Sequence, residues 1–183
     1  QGAFFDFDRD GDLDLYQLNH SIKPAANIGP VSQREVRDSL AGDRLLRNDD
    51  GYFVDISAEA GISGSRLGYG LSVLTGDFNA DGWPDIYVCN DFHEDDYLYL
   101  NQQEGSFREA LREQFGHTSR FSMGSDLGDI NNDGRTDLLT LDMKPEREDI
   151  LKTSEPPESF DLFQFKLSFG YFYQYPHNAL HLN

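Results

Sequence analysis

The stretch that decides the fold is Asp77-Phe78-Asn79-Ala80-Asp81-Gly82-Trp83-Pro84-Asp85-Ile86-Tyr87-Val88-Cys89-Asn90. It places acidic or amide side chains at positions 1, 3, 5 and 9 and a glycine at position 6. Asp, Asn and Gly in such a cluster are typical of a tight turn. The apolar run after the loop is typical of a short buried strand. We therefore predict an acid-rich loop that leads directly into a strand.

The same pattern occurs three times along the chain, so it is a repeat and not an isolated turn. We call the copies loop 1 (residues 6–14), loop 2 (residues 77–85) and loop 3 (residues 129–137). Each copy is followed by an apolar run. Their odd-numbered positions hold Asp6, Asp8, Asp10, Asp12 and Asp14; Asp77, Asn79, Asp81, Trp83 and Asp85; and Asp129, Asn131, Asp133, Arg135 and Asp137.

A second element repeats downstream of each loop, at residues 43–48, 96–101 and 178–183, and each copy ends in Asn. Once insertions are set aside, the two elements recur with a period of about 52 residues, which is in the range of blade-like arrays. The second copy contains four predicted strands: Tyr69 to Phe78, Asp85 to Asn90, Tyr97 to Asn101 and Ser106 to Glu109. Four strands per repeat is the blade of a β-propeller.

The predicted fold is all-β: a partial β-propeller of four-stranded blades with calcium-binding loops and two inserted, partly helical segments. Blade 1 spans residues 1–67, with an incomplete first strand and an insertion at about 20–42. Blade 2 spans residues 68–120. Blade 3 spans residues 121–183, with an insertion at about 144–177 and its last strand missing. We expect one fragment of a larger propeller, with exposed blade edges able to pair with another chain.

Both insertions carry helix signals. Ser32 to Leu40 has a capping serine with Glu35 three residues on. Ser159 to Phe169 places Phe160, Phe163 and Leu167 on one helical face. An aromatic cluster comes next, and it suggests a ligand-binding platform for a sugar or a partner side chain. The alternative, which we favour, is that these rings form the insertion's own core. The rings concerned are Tyr171, Phe172, Tyr173 and Tyr175.

The three loops fit calcium chemistry. Oxygen ligands at positions 1, 3 and 5, a glycine at 6 and a backbone carbonyl at 7 converge on one point in calcium loops. A ligand set of oxygens without His or Cys selects a hard cation. Position 12, where an EF-hand has Glu, holds Gln17, Val88 and Thr140, so we reject an EF-hand. We predict about three structural Ca²⁺ sites; ordinary turns are the alternative.

The net charge of −18 is concentrated in these loops, which hold 11 of the 33 acidic residues. An acidic chain of this kind is a poor binder of nucleic acid or of anionic membranes. No apolar run approaches the roughly 20 residues of a spanning helix. The chain is 38% hydrophobic and 13% aromatic, so it folds rather than staying disordered.

Other chemistry is weakly supported by the sequence. The five histidines (20, 93, 117, 177 and 181) have unrelated spacings, and we expect no zinc site. A cluster of acids between two predicted strands is typical of a solvated loop, and a further cation site is the alternative. The cluster comprises Asp91, Glu94, Asp95 and Asp96. Cys89 is expected to be a buried, inert thiol. No nucleophile elbow is present, so we predict that the chain is not an enzyme.

The loops and their flanking strands resemble the FG-GAP / VCBS repeat, the blade of integrin α-chain-like propellers, most fully over residues 69–88. The run 51–62 looks like the bacterial branch similar to cartilage acidic protein with its ASPIC/UnbV segment. The resemblance implies a calcium-binding, extracytoplasmic module, secreted or on the cell-envelope surface, that binds a protein or glycan ligand. The alternatives are a propeller of a carbohydrate-active enzyme and a structural spacer of a large surface protein.

Overall fold

The computed structural model describes residues 1–22, 31–153 and 158–183, and these residues are mostly β. Three antiparallel sheets follow one another along the chain. Strands are numbered in chain order. The sheets contain β1 (Gly2–Phe5), β2 (Asp14–Gln17), β3 (Arg44–Asp49) and β4 (Tyr52–Asp55); β5 (Gly70–Gly76), β6 (Asp85–Asn90), β7 (Tyr97–Asn101) and β8 (Phe107–Glu109); and β10 (Ser122–Gly128), β11 (Asp137–Asp142) and β13 (Ala179–His181).

A fourth sheet is small and parallel. It pairs β9 (Thr118–Ser119) with β12 (Gln174–Tyr175), and so attaches the end of the second insertion to the segment that precedes the third sheet. The helices are short: a 3₁₀ turn at Val31–Glu35, α1 (Leu111–Gln114), α2 (Glu148–Leu151) and α3 (Phe160–Ser168). The all-β prediction is therefore confirmed, with helices confined to connections.

The core results from the alternation of side chains in the second sheet. Ile86, Val88 and Tyr99 face the first sheet, where they pack with Tyr16 and Leu45. The residues between them, Tyr87, Cys89 and Leu98, face the third sheet and pack with Leu138. Because successive side chains of a strand point to opposite faces, one sheet serves two core layers. This explains why every residue of β6 and β7 is buried and why Cys89 is an inert, fully covered thiol.

The predicted strands of the second repeat agree with the structure, with small shifts at their ends. The helix predicted at Ser32 to Leu40 is wrong beyond its first turn. There the chain turns to pair with residues 62–66: Arg37 bridges Ser65, and the Asp38 N–H donates to the Gly64 carbonyl at 2.9 Å. The tertiary hydrogen bonds to residues 62–66 outweigh the local helix propensity of this segment.

The second predicted helix is present, with the Ser159 hydroxyl as its N-cap, accepting from the Leu162 N–H. Phe160, Phe163 and Leu167 share one face of this helix, as predicted, but Phe163 and Leu167 are only half-buried. Phe160 is 73% exposed, whereas Lys166 is 2% exposed and is the buried residue of α3. The cause is a polar anchor: the Lys166 ammonium donates to the Gln174 side chain at 2.9 Å.

The order of elements places two kinds of connection at opposite ends of the sheets. Loops 1, 2 and 3 join the first two strands of their sheets (β1–β2, β5–β6 and β10–β11). Both insertions and the 91–96 loop join the second strand to the next, so they lie at the other end. The sheets of the described residues do not show a closed propeller. Within the described ranges, no helix has the length and apolar character needed to cross a membrane.

Candidate metal-binding loops

The three acidic loops share one backbone conformation. Position 4 is left-handed in each, although none of these residues is glycine: Arg9 has φ 62°, Ala80 58° and Asn132 60°. Position 6 is a left-handed glycine in each, with φ of 98°, 86° and 84° in chain order. Only glycine adopts that second conformation without steric cost. The loops are therefore one conformation built three times.

The turn is closed by hydrogen bonds to the acids. The position-6 N–H donates to the position-1 carboxylate, at 3.2 Å for Gly11 to Asp6, 2.8 Å for Gly82 to Asp77 and 2.9 Å for Gly134 to Asp129. The position-7 N–H donates to the position-5 carboxylate in each loop, at 2.8–3.0 Å. These bonds aim the carboxylates into the turn.

Position 9 is the anchor of each loop. Asp14, Asp85 and Asp137 are buried at 1%, 0% and 0% exposure. Each carboxylate accepts two backbone N–H groups: one from position 2 of its own loop, and one from the asparagine that ends the second repeated element. The second donors are Asn48 to Asp14 at 2.9 Å, Asn101 to Asp85 at 2.8 Å and Asn183 to Asp137 at 3.0 Å. The two repeated sequence elements thus meet at one hydrogen bond per sheet.

Loop 1 brings its ligands closest together. Carboxylate oxygens of Asp6, Asp8 and Asp14 lie within 4.8 Å of one another, and no other trio of acidic, His or Cys ligand atoms in the described residues does so. The Asp6 Oδ1 is buried and has no hydrogen-bond partner. An unsatisfied buried carboxylate oxygen is costly unless a cation faces it. The donor set therefore fits a hard cation.

Loops 2 and 3 differ from loop 1 at position 3. Their Asn side chains donate to the position-5 carboxylate, Asn79 to Asp81 at 3.0 Å and Asn131 to Asp133 at 2.9 Å. The amide thus relieves repulsion that a third carboxylate would add.

The remaining predicted site residues occupy the rims of the loops. Asp10 and Asp12 lie in loop 1 outside the converged trio. Trp83 and Arg135 stand at position 7, where the predicted ligand is the backbone carbonyl and not the side chain. The Trp83 ring packs under the Arg9 guanidinium at 4.4 Å, which joins loops 1 and 2.

Electrostatics favour a neutralising partner for the position-9 acids of loops 1 and 2, whereas in loop 3 the N–H groups of Asn183 and Ile130 lower the pKa of Asp137. Burial raises the pKa of Asp14 to about 6, opposed by the Asn48 and Phe7 N–H groups and reinforced by Asp8 and Asp10. Burial also raises the pKa of Asp85 to about 6, and Asp81 and Asp77 add to the shift. Without a cation the charged form of each is disfavoured.

The aromatic cluster is split by the fold. Tyr171 is 4% exposed and its ring lies 5.1 Å from the Arg34 guanidinium. Phe172 packs against the second core layer. Neither ring can serve as the open platform suggested by the sequence, because the insertion uses them to pack onto the sheets. Tyr173 and Tyr175 remain 46% and 40% exposed.

The prediction of a solvated acidic loop at residues 91–96 is wrong. Asp91, Glu94, Asp95 and Asp96 are buried, at 1–8% exposure. The partners of Glu94 and Asp95 are arginines contributed by distant segments: Arg34 contacts both, and Arg112 contacts Asp95 at 2.9 Å. The second insertion adds the Phe172 N–H to Asp95 at 2.9 Å and the Gln174 amide to the Glu94 carbonyl at 2.7 Å. Nothing in the local sequence signals these long-range partners.

The fold and the loops together define a class: repeats of antiparallel sheets, each with an Asp/Asn/Gly loop between its first two strands. Residues 77–140, from loop 2 through β11, match the family model of the FG-GAP-like repeat. The segment from residue 77 to residue 140 is therefore an FG-GAP-like repeat. Loop 1 lies outside the matched residues and has the same backbone geometry. No curated protein matches the chain.

Proposed function

We propose that this chain is a calcium-stabilised, extracytoplasmic β-module of the FG-GAP type that serves adhesion or ligand binding and is not catalytic. The observation that carries the proposal is the convergence of Asp6, Asp8 and Asp14 within 4.8 Å in loop 1. The matched FG-GAP-like repeat supports an adhesion or ligand-binding role outside the cell.

Calcium is the cation that suits these ligands. The loops offer carboxylate, amide and carbonyl oxygens, which select hard cations. In loop 1 the ion would be held by Asp6, Asp8, Asp10, the carbonyl of residue 12 and Asp14. The matching residues would do so in loops 2 and 3. Calcium accepts six to eight oxygens in flexible geometry, whereas Mg²⁺ demands a near-ideal octahedron.

The ion would act on the fold rather than on a substrate. Position 9 begins the second strand of each sheet and position 1 follows the first strand. A cation held by both would join the two strands and offset the repulsion among acids. The Asp14 carboxylate is already held by two backbone N–H groups, which suits a fixed structural ligand. The role of the module would then be to present a stable surface to a protein or glycan.

The direct test is thermal unfolding with calcium and with EGTA. A ligand that binds only the folded state stabilises it by about 2.7 kcal/mol per site at 100 times its Kd. For a chain of this size we expect the Tm to rise by roughly 5–10 °C for each occupied site. Asp81→Ala should remove the contribution of loop 2 alone, and Mg²⁺ at equal concentration should give a smaller shift. An unchanged Tm would mean that the loops are ordinary turns.

The binding role has a separate test. The chain is applied to arrays of glycans and of extracellular matrix proteins, with calcium and with EGTA. Calcium-dependent binding to a defined group of spots is the expected result. A chain that is stabilised by calcium yet binds no spot would act as a spacer, and turnover of a polysaccharide would overturn the non-catalytic assignment.

A further inference from the structure

A cavity of about 720 Å³ lies at the end of the sheets opposite the acidic loops. It is formed by the segment after β11 (Met143 to Pro145), by α2 and α3, and by Tyr175 and Pro176. Loop 3 precedes β11 and the cavity lies beyond it, so the six residues of that strand separate the two by roughly 20 Å. The cavity is therefore distinct from the metal-binding loops, and its chemistry does not depend on calcium.

The wall of the cavity is largely apolar. Phe121 lines it and is buried at 8% exposure, and Phe163 stacks on Tyr175 with ring centroids 6.1 Å apart. Phe160 and Met143 also line it and are left 73% and 49% exposed. An apolar ligand in the cavity would remove these exposed aromatic and thioether groups from water. That burial favours binding.

The charged groups of the wall are unusual for this molecule. Three cations, Arg120, Lys144 and Lys152, line the cavity with a single acid, Glu158, and the Lys152 ammonium is paired with Glu148 at 3.1 Å. The chain as a whole carries 33 acids against 15 Lys and Arg. A cationic mouth on so acidic a protein attracts anions that the remaining surface repels. Charge complementarity therefore specifies the sign of the occupant.

The polar atoms inside the cavity are incompletely satisfied. Arg120 and Glu158 contact each other at 3.6 Å, and their side chains are 13% and 10% exposed. The Arg120 Nε and the Glu158 Oε1 are buried and have no hydrogen-bond partner. Native proteins leave few such groups unpaired. Arg120 and Lys166 both pair with Glu158, at 3.6 Å and 3.5 Å, so two cations share one acid and the cluster keeps a net positive charge.

We propose that this cavity binds an amphipathic organic carboxylate, with an apolar body against Phe121, Phe160 and Phe163 and its carboxylate toward Arg120 and Lys144. The volume lies within the roughly 300–1,000 Å³ that small-ligand sites occupy. A single negative charge complements the net positive charge of this cluster without requiring Glu158 to leave its ion pairs with Arg120 and Lys166.

The test titrates the 183-residue chain with decanoate by isothermal titration calorimetry. We expect one saturable site with a Kd on the order of 100 μM, which is ordinary for a ligand of about a dozen heavy atoms. Decyltrimethylammonium, which has the same tail and the opposite charge, should bind at least about tenfold more weakly. Raising the salt concentration should weaken decanoate binding.

Two exposed variants and two matched controls locate the site. Phe160→Ser should weaken decanoate about tenfold by removing apolar wall. Lys144→Gln should weaken it up to about fivefold, as expected for an exposed charge. Tyr52→Ser, on a strand with 78% exposure, and Arg147→Gln, which lies outside the lining, should leave the Kd unchanged. All four are surface changes, and circular dichroism verifies the fold.

Several results would overturn the proposal. Absence of saturable decanoate binding is one. Equal affinity for the cationic analogue would show that charge does not select the occupant. An unchanged Kd in both Phe160→Ser and Lys144→Gln would place the binding elsewhere on the surface.

Discussion

At the scale of single residues, an asparagine of the second sheet and one of the third join each sheet to the preceding repeat, whereas the equivalent Asn48 of the first sheet donates to Leu13 of its own loop at 3.2 Å. The Asn101 amide donates to the carbonyl of Phe7, which is position 2 of loop 1, at 2.9 Å. The Asn183 amide donates to the carbonyl of Phe78, position 2 of loop 2, at 2.6 Å. The same side chain thus reaches back to the preceding loop in successive repeats, while its own N–H holds position 9. The sequence repeats both elements because each sheet makes the same contact with the one before.

Asn101→Ala should destabilise the chain by about 3 kcal/mol. The side chain is 3% exposed and also donates to the Pro84 carbonyl at 3.2 Å, so its loss leaves two carbonyls without a donor. Asn183→Ala is the matched control: its bond is exposed, and the loss should be below about 1 kcal/mol. Urea denaturation measures both. Equal losses would contradict a special role for the buried amide.

A second residue-scale pairing links Tyr and Asp within each of the first two sheets. The Tyr16 and Tyr87 hydroxyls donate to Asp43 and Asp96 at 2.9 Å and 2.7 Å. In the third sheet the equivalent positions hold Leu139 and Asn178. In all three sheets this Asp or Asn side chain also accepts a hydrogen bond at 2.8 Å from a backbone N–H. The donors are Asn19, Asn90 and Asp142 in chain order. The third sheet therefore lacks both the hydroxyl and the charge, and its Asn178 side chain keeps the bond from the backbone N–H.

Asp96→Asn should flatten the pH dependence of stability between about pH 4 and 7. Burial raises the pKa of Asp96 from 3.8 to about 7. The folded state therefore holds a proton that the unfolded state releases, and wild-type stability falls as pH rises through that window. The variant lacks this contribution, whose slope is at most about 1.4 kcal/mol per pH unit. The free energy of unfolding of the variant, compared with that of the wild type, should therefore be lowest at pH 4 and should rise toward pH 8. Urea midpoints measured at each pH test this. An unchanged slope would contradict the assignment.

At the scale of elements, the strands and the helix of the second insertion were predictable from the sequence, and the packing of the insertions was not. The strands of the second repeat are predicted by short apolar runs bounded by Gly and Asn, which are local signals. The helix at Ser32 to Leu40 failed because Arg37 and Asp38 pair with residues 64 and 65. The burial of Glu94 and Asp95 was missed because their arginine partners lie 17 to 61 positions away. The periodicity of a segment does not indicate which distant residues it will contact, so these ion pairs could not be predicted from it.

Arg34→Gln should detach the first insertion from the 91–96 loop. The Arg34 side chain is 15% exposed and pairs with two nearly buried acids, and it lies over Tyr171 of the second insertion. Breaking a buried ion pair by removing one partner costs about 3 kcal/mol. The loss should appear both in urea denaturation and as faster proteolysis near Arg147 and Lys152. Arg147→Gln removes an exposed pair with Asp149 and should cost less than about 0.5 kcal/mol.

At the scale of the whole molecule, charge is divided between the two ends of the sheets. The acidic loops gather 11 of the 33 acids at one end. At the other end, acids and arginines neutralise each other inside a cap built from both insertions. The loops contain two arginines, Arg9 and Arg135, against these 11 acids, so they carry −9 of the net charge of −18. That asymmetry predicts that external cations act at one end of the molecule.

The three loops should differ in calcium affinity in the order of their acid content. Loop 1 has five carboxylates, and loops 2 and 3 have three each. Because ligand charge tunes the affinity of such loops, Asp8→Asn, which gives loop 1 the position-3 residue of the other two, should weaken the tightest site about tenfold. The reverse change, Asn79→Asp, should strengthen loop 2 by a similar factor. Calorimetric titration with calcium resolves the sites. If Asp8→Asn leaves the Kd of the tightest site unchanged, that site lies outside loop 1. The converged carboxylates of loop 1 would then not be the tightest calcium site.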